Sequence, residues 1–140
     1  MARYGQNLEQ LFFLRKGIFT TESIFSLGLQ LIYILEQVHA AGLTYNDLKL
    51  DNILLDYGTD VEELSKTQEN IFESNNITLI DFGFATEYHD GATQKHMKKQ
   101  YVDAFRGNLL FSSLNQLKFY STSRRDDLIS LFYFLAYLVH

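Results

Sequence analysis

The amino-acid sequence predicts an α+β fold that is mainly helical. Apolar residues recur at helical spacing through residues 21–41, and residues 124–140 are apolar over most of their length. Two short apolar segments, 53–55 and 77–80, have the length of strands and are separated by a polar stretch, which favours an antiparallel pair. With 140 residues, of which 46% are hydrophobic and 21% charged, the chain has the size and composition of an ordinary globular domain.

The first two helices have recognisable ends. Residues 7–15 predict a short amphipathic helix that stops before Gly17. A second helix is expected to begin near Thr20 and Thr21, because either hydroxyl can cap the first turn. It is expected to stop at Gly42, since glycine readily adopts the left-handed conformation that closes many helices.

The later segments differ in composition. Residues 56–76 are polar and acidic, and we expect them to form a long, mobile insertion between the two strands. Residues 86–107 show no clear periodicity and are expected to be irregular. The helix predicted over 124–140 is apolar nearly all round, which predicts a buried helix.

Composition and charge narrow the function classes. The net charge of -5 argues against a nucleic-acid-binding protein, which would normally be basic. Cysteine is absent, so disulfides, thiolate metal sites and cysteine nucleophiles are excluded. The longest apolar run is shorter than the roughly 20 residues that cross a bilayer, and the first residues lack the apolar core of a secretory signal. We therefore expect an intracellular protein, of the cytoplasm or nucleus, with no nucleic-acid or membrane partner.

Two short motifs hold polar side chains next to the predicted strand pair. The first precedes the strand at 53–55, and the second directly follows the strand at 77–80. Because paired strands bring their flanking residues together, we expect these side chains to converge at one end of the sheet. The converging residues are Asp47, Lys49, Asn52 and Asp81, with Gly83 supplying backbone freedom beside them.

This set suits the transfer of a phosphoryl group from a metal-bound nucleotide. Such a reaction needs a carboxylate to orient the attacking hydroxyl, oxygen ligands for Mg²⁺, and a cation to offset the charge on the transferring group. Mg²⁺ takes only a few protein oxygens besides phosphate and water, so one aspartate and one asparagine suffice. An isolated Asp-x-Lys would be interpreted as a solvated turn, but the offsets to Asn52 and Asp81 favour the catalytic interpretation.

The segments YNDLKLDNILL and LIDFG resemble the catalytic loop and the metal-binding motif of eukaryotic protein kinases. The resemblance implies that Asp47 is the catalytic base and that Lys49 contacts phosphate, as in serine/threonine kinases. It also implies that Asn52 and Asp81 bind Mg²⁺ and that both, with Gly83, bind ATP. Protein substrates with serine or threonine hydroxyls are then the expected partners.

Further segments resemble the casein kinase I family in particular. They are YGQNLEQLF near the start, residues 105–115 (FRGNLLFSSLN) and residues 123–128 (SRRDDL). The resemblance implies that Asp127 braces the catalytic loop through backbone hydrogen bonds. The implied fold is the C-terminal lobe of a kinase, with the short antiparallel pair beside the catalytic loop. We therefore expect a partial kinase domain over 1–140, without the N-lobe or the C-terminal helices and with an acidic insertion at 56–76.

Three positions depart from the family pattern. Asn46 replaces the arginine through which many kinases sense a phosphorylated activation loop, so we expect no switching by that route. Asn108 stands where a threonine normally contacts the catalytic aspartate and lysine, and asparagine can still form a hydrogen bond there. Gln100 stands near the family's anion-binding arginine. The sequence also contains no glycine-rich loop, so we expect the chain alone to be weak or inactive.

Two other interpretations stay open. Small-molecule phosphotransferases, which act on antibiotics or choline, share the aspartate–asparagine loop and the metal aspartate, but they usually lack the lysine and the glycine after Asp-Phe. A non-catalytic, kinase-like binding module is the second alternative, and Asn46 and Asn108 favour it. His39 is interpreted as a structural residue at the end of a helix rather than as a catalytic group.

Overall fold

The computed structural model describes residues 5–93 and 95–139. Residues 1–4 and the expected helix end at His140 lie outside the described residues. Within the described part, five α-helices, one short 3₁₀ helix (Leu50–Asn52) and four short strands form. The α-helices and strands are α1 (Leu8–Leu14), α2 (Thr21–Ala40), β1 (Leu43–Thr44), β2 (Ile53–Leu55), α3 (Val61–Leu64), β3 (Ile77–Leu79), β4 (Thr86–Glu87), α4 (Leu114–Leu117) and α5 (Arg124–Val139).

The sequence predicts α1, α2, β2, β3 and α5 with nearly these bounds, but it does not predict β1, α3, β4 or α4. Helix α1 begins after Asn7, whose side chain accepts a hydrogen bond from the backbone N–H of Gln10 at 3.0 Å. The Gln10 side chain accepts in return from the Asn7 N–H at 3.2 Å, which completes a capping box. Helix α2 is capped by Thr20 and is followed by Gly42, whose φ of 85° is the left-handed conformation expected there.

The core is centred on α2. Three of its leucines, Leu27, Leu31 and Leu35, are at most 1% exposed and share one face because they are spaced by four residues. Helix α5 packs against α2 and contributes Leu131 and Phe134, which are also buried. Burial of these apolar surfaces is the main favourable term that holds the two long helices together.

Helix α5 is not buried on every side, which corrects the expectation of a buried helix. Phe132 and Val139 are 68% and 67% exposed, and α2 likewise exposes Phe25 and Leu29. Helix α5 therefore carries more apolar side chains than its contact with α2 buries. None of the described helices is long and apolar enough to cross a bilayer.

Two antiparallel strand pairs frame residues 45–52, which resemble the catalytic loop of kinases and are called the catalytic loop below. The predicted pair is β2–β3, in which Ile53 lies opposite Leu79. The second pair is β1–β4, in which Thr44 lies opposite Thr86. Each of its strands has two residues, too few to leave an alternating pattern in the sequence. Together the pairs bring the loop before β2 next to the turn after β3.

Residues 56–76 are packed against the rest of the molecule, which corrects the expectation of a mobile insertion. Val61, Ile71 and Phe72 are at most 3% exposed and belong to the main hydrophobic cluster. Helix α3 forms within this segment, capped by the side chain of Asp60. The three buried side chains are scattered among acidic residues, so the average composition of the segment conceals them.

The side chain of Arg15, directly after α1, and that of Gln30, on α2, also hold this segment in place. The guanidinium of Arg15 donates to the carbonyl oxygens of Leu64 and Thr67 at 3.0 and 2.9 Å. The side chain of Gln30 donates to the carbonyl oxygen of Phe72 at 2.9 Å. Burial lowers the pKa of Arg15, but a guanidinium stays charged at neutral pH.

Candidate active site

Asp127, on α5, holds the backbone of the catalytic loop. Its carboxylate is buried and accepts from the N–H groups of Tyr45 and Asn46, both at 2.8 Å. The same carboxylate lies 2.7 Å from Nε2 of His39. The bracing contact that the kinase resemblance implies for Asp127 is therefore present. It fixes the two residues that directly precede Asp47.

The carboxylate of Asp47 is surrounded by three polar side chains. Its Oδ2 lies 3.2 Å from Nζ of Lys49 and accepts from Nδ2 of Asn52 at 3.0 Å. Its Oδ1 accepts from Nδ2 of Asn108 at 3.3 Å. Asp47 is 1% exposed, and a carboxyl group so deeply buried needs hydrogen-bond partners of this kind. Three of the predicted site residues therefore converge, with Asn108 as a fourth member.

The segment that carries Asn108 lies close against the loop. Asn108 Nδ2 also donates to the carbonyl oxygen of Leu48 at 2.8 Å. The preceding residue, Gly107, has a φ of 122°, and a Cβ there would lie 2.4 Å from the carbonyl oxygen of Asn46. Any other residue at 107 would push this segment away from the loop. Asn108 thus forms the hydrogen bond to the Asp47 carboxylate that we expected an asparagine to be able to form at this position.

Asp81 lies at the end of the β2–β3 pair. The N–H of Ile80 donates to the carbonyl oxygen of Asn52 at 2.9 Å, which extends the pairing up to the catalytic loop. Asp81 has a φ of 58°, and its Oδ1 accepts from the N–H of Gly83 at 3.1 Å. A Cβ on Gly83 would lie 3.0 Å from that oxygen. Asp81 is therefore the residue with left-handed backbone angles. The lack of a side chain at Gly83 leaves space for the Asp81 carboxylate.

Tyr45 connects the two motifs. Its hydroxyl donates to the carbonyl oxygen of Ile80 at 2.6 Å, and its ring packs edge-on against Phe82 with 5.3 Å between the centroids. Burial raises the pKa of the Tyr45 hydroxyl, and the negative charges of Asp47 and Asp81 raise it further. The hydroxyl therefore stays protonated as a donor.

The polar groups fit a hard divalent cation. Asn52 uses its Nδ2 to donate to Asp47, which leaves its amide oxygen for a cation. Asp81 is exposed and keeps the carboxylate oxygen that Gly83 does not use. Mg²⁺ commonly takes one or two such protein oxygens together with phosphate and water. Among residues 5–93 and 95–139, no cluster of three histidine, aspartate or glutamate side chains offers another metal site.

Comparison with known proteins identifies the family. Residues 2–126 match the family model described as the protein kinase domain. The chain belongs to this family. It is also 33% identical over 135 residues to casein kinase I homolog 1 of Saccharomyces cerevisiae, which confirms the expected likeness to casein kinase I. That alignment covers 94% of this chain and 23% of the yeast protein, so the chain spans under a quarter of that relative's length.

Two contacts of this kinase-family chain were not predicted from the sequence. His39, interpreted as a structural residue at a helix end, is the third partner of the Asp127 carboxylate. Asp126 is 1% exposed and accepts from the side chains of Ser113 and Asn115, both at 2.8 Å. Two adjacent aspartates in the first turn of an apolar helix are the signal that could have indicated both contacts. Their partners lie between 11 and 88 residues away along the chain, so the pattern alone does not name them.

Proposed function

We propose that this chain carries the phosphoryl-transfer site of a serine/threonine protein kinase of the casein kinase I type, which uses ATP and Mg²⁺. The observation that carries the proposal is the buried carboxylate of Asp47, held by Lys49, Asn52 and Asn108. The kinase-domain match supports the reaction class, and the similarity to casein kinase I homolog 1 supports the type. The activity and substrates of a whole protein containing this chain are part of the proposal.

In the proposed step, the oxygen of a serine or threonine hydroxyl bonds to the γ-phosphorus of ATP. The bond from that phosphorus to the bridging β–γ oxygen breaks, and ADP leaves. Asp47 orients the hydroxyl and accepts its proton. Lys49, whose side chain is 33% exposed, offsets the negative charge on the transferring group. A lysine at this position resembles the serine/threonine kinases, which supports those hydroxyls as acceptors.

Asn52 and Asp81 are the residues that we assign to Mg²⁺. When bound, the ion would neutralise negative charge on the phosphates and help to orient them. Gly83 supports this role indirectly, because its N–H and its lack of a side chain fix the carboxylate of Asp81. We also assign the described elements to the C-terminal lobe of a kinase domain. The assignment is based on the loop between α2 and β2 and on helix α5, whose Asp127 holds that loop.

The test measures transfer of label from γ-labelled ATP to dephosphorylated casein in the presence of Mg²⁺, with this chain and with a longer protein that contains it. The substitution Asp47→Asn should lower transfer about a hundred- to ten-thousand-fold, because an amide cannot accept the proton. It should leave Mg²⁺-dependent ATP binding in place. Asp81→Asn should instead weaken that binding, because it removes a charged ligand.

Asp103→Asn is the matched control, since it makes the same chemical change at an exposed position and should alter neither property. Undiminished transfer by the Asp47→Asn variant would overturn the assignment of the base. Binding of ATP without any transfer by the unaltered protein would favour the non-catalytic, kinase-like module.

A further inference from the structure

Tyrosine is the residue type of this chain from which a one-electron oxidant most readily takes an electron. The chain contains nine tyrosines but no tryptophan and no cysteine, the two other residue types that readily lose a single electron. Its two methionines react instead by taking up an oxygen atom, which is a two-electron step. Where two tyrosine rings lie in contact, two one-electron oxidations can join them.

Tyr101 and Tyr120 form such a contact. They lie opposite each other in a single antiparallel bridge between the segment after β4 and the residues before α5. The backbone hydrogen bonds on either side, at 2.8 and 2.9 Å, join the neighbouring residues rather than the two tyrosines. Side chains come closest in pairs of this non-hydrogen-bonded kind, so the register itself brings the two rings together.

The two phenol groups meet at their reactive ends. The ring centres are 4.4 Å apart, and the hydroxyl of Tyr120 donates to the hydroxyl oxygen of Tyr101 at 2.9 Å. Each hydroxyl-bearing carbon lies on the line from its ring centre to its oxygen, so these two carbons are less than 4.4 Å apart. Tyrosyl radicals couple at the ortho carbons, which are bonded directly to those two. Coupling therefore needs little movement of either ring.

The pair is open to an oxidant in solution. Tyr101 is 73% exposed, and Tyr120 is partly exposed beside it. Nζ of Lys99 lies 3.9 Å from the ring centre of Tyr120 and donates to Oδ1 of Asn115 at 2.9 Å, which helps to hold that ring in place. The hydrogen bond with Tyr120 raises the pKa of Tyr101. The Tyr101 hydroxyl is therefore protonated at neutral pH, and its proton must leave with the electron.

We propose that Tyr101 and Tyr120 are a site of oxidative cross-linking, at which hydrogen peroxide acting through a haem peroxidase joins the two rings as dityrosine. Each phenol gives up one electron and its hydroxyl proton and becomes a phenoxyl radical. The two radicals form one carbon–carbon bond between ortho carbons, and the hydrogen on each of these carbons then moves as a proton to the phenol oxygen. The pair loses two electrons and two protons, which reduce one hydrogen peroxide to two water molecules.

The cross-link constrains the segment that carries Asn108. The two tyrosines are 19 residues apart along the chain, and Gly107 and Asn108 lie between them. A covalent bond closes this stretch into a loop and so reduces the conformational freedom of the unfolded chain. It also joins the stretch to the residues before α5, the helix whose Asp127 holds the catalytic loop. The cross-linked chain should therefore be more stable than the parent.

The test treats the whole chain, at low concentration, with hydrogen peroxide and a haem peroxidase. We expect the blue fluorescence of dityrosine in a product that still migrates as a monomer on a denaturing gel and is lighter by two hydrogen atoms. Trypsin should release residues 100–106 joined to residues 119–124, each of which contains one tyrosine, so mass spectrometry identifies the linked pair.

Tyr120→Phe keeps the ring but removes the hydroxyl, and it should lower the fluorescence of the monomer at least about tenfold because phenylalanine forms no phenoxyl radical. Tyr57→Phe is the matched control. Tyr57 is 66% exposed, and among residues 5–93 and 95–139 its ring contacts no other tyrosine ring, so the fluorescence should stay unchanged.

Cross-linked dimers without a cross-linked monomer, or a monomer joined through another pair of tyrosines, would overturn the proposal. Undiminished fluorescence of the Tyr120→Phe monomer would do the same. An equal yield of the cross-link in concentrated urea would also overturn it, because a contact made by the fold is lost when the chain unfolds.

A second measurement tests the constraint on the segment. The oxidised parent should melt roughly 10 °C higher than the untreated parent, whereas oxidised Tyr120→Phe should melt no higher than its own untreated form. An unchanged melting temperature of the cross-linked parent would refute the constraint. The reaction uses neither ATP nor Asp47, so its failure removes the cross-linking proposal and leaves the phosphoryl-transfer proposal untouched.

Discussion

The catalytic loop, residues 45–52, and the neighbouring segment 56–76 are both largely irregular stretches fastened by side chains from elsewhere in the chain. In the loop, a carboxylate on α5 accepts from the backbone N–H groups of Tyr45 and Asn46. In the segment the direction is reversed, because Arg15 donates to backbone carbonyl oxygens. Both stretches therefore depend on remote side chains for part of their backbone hydrogen bonding. Neither uses one kind of backbone group alone, because Asn108 donates to the Leu48 carbonyl oxygen and the Ile71 N–H donates to Oγ of Ser23.

The two stretches also differ in what they bury. Both stretches insert apolar side chains into the core, such as Phe72 from the segment and Leu48 from the loop, but the loop also buries the polar side chains of Asp47 and Asn52 with their hydrogen-bond partners. Apolar burial is non-directional, while hydrogen bonds hold atoms within a narrow range of distance and angle. In the proposed reaction, a side chain that must meet the acceptor hydroxyl needs the second kind of restraint. We therefore expect that a substitution which loosens one of the two stretches leaves the other largely in place.

The largest effect is expected from Asp127→Ala. Removing this carboxylate leaves two buried N–H groups and His39 without their acceptor, which should cost about 3–5 kcal/mol of unfolding free energy. Denaturant unfolding measures the loss. Hydrogen exchange should accelerate more at Tyr45 and Asn46 than at Ile71, because the loop loses its own restraint as well as global stability.

Asp103→Ala removes an exposed carboxylate and is the control for the loss of charge. A uniform increase of exchange in the Asp127→Ala variant, equal in the loop and in the segment, would contradict a local role for the brace.

The next largest effect is expected from Phe72→Ala, which acts on the segment. Phe72 is 3% exposed and packs near Phe19, with 6.2 Å between the ring centroids. Truncation should cost about 3 kcal/mol through lost burial and the cavity left behind. Limited proteolysis should then cut within 56–76, while Asp127 still holds the loop. Phe13→Ala is the control, because Phe13 is 69% exposed, and cutting at the same rate in both variants would contradict the anchoring role.

Much of the fold could be predicted from the sequence because its signals are local. The apolar stripe of α2, its cap at Thr20 and its end at Gly42 lie within one helix length. The catalytic loop carries a dense motif, and its contacts between Asp47, Lys49 and Asn52 span at most five residues. Such features need no knowledge of the rest of the fold.

The incorrect predictions share a physical cause, which is dependence on a distant partner. Whether a polar segment is fastened depends on Arg15 and on three apolar side chains that average composition hides. Whether α5 is covered all round depends on which helices pack against it, and its own composition cannot tell that. The third partner of Asp127 is 88 residues away along the chain. The side-chain oxygen of Asn46 has no donor among the described residues, and this too is a property of the assembled loop.

A smaller effect is expected from Arg15→Met, which keeps the buried stem and removes the guanidinium. The carbonyl oxygens of Leu64 and Thr67 lose a donor, which should cost about 1–3 kcal/mol of unfolding free energy. Hydrogen exchange should rise around residues 64–72 and not in the catalytic loop. Lys16→Met removes a positive charge from the next, exposed residue. The anchoring role of Arg15 is refuted if the two variants unfold at the same denaturant concentration.

The smallest effect is expected from Glu9→Gln, at the edge between α1 and the catalytic loop. A hydrogen bond with Asp51 raises the pKa of Glu9 above its ordinary value of 4.5. The folded state then holds a proton that the unfolded state releases, so stability falls as pH rises through the raised pKa. Glutamine is neutral at every pH, so the variant should melt slightly higher than the parent at neutral pH and equally below about pH 4. Glu73→Gln removes an exposed charge as the control. A difference in melting temperature that persists unchanged in acid would show that the carboxyl pair is not its cause.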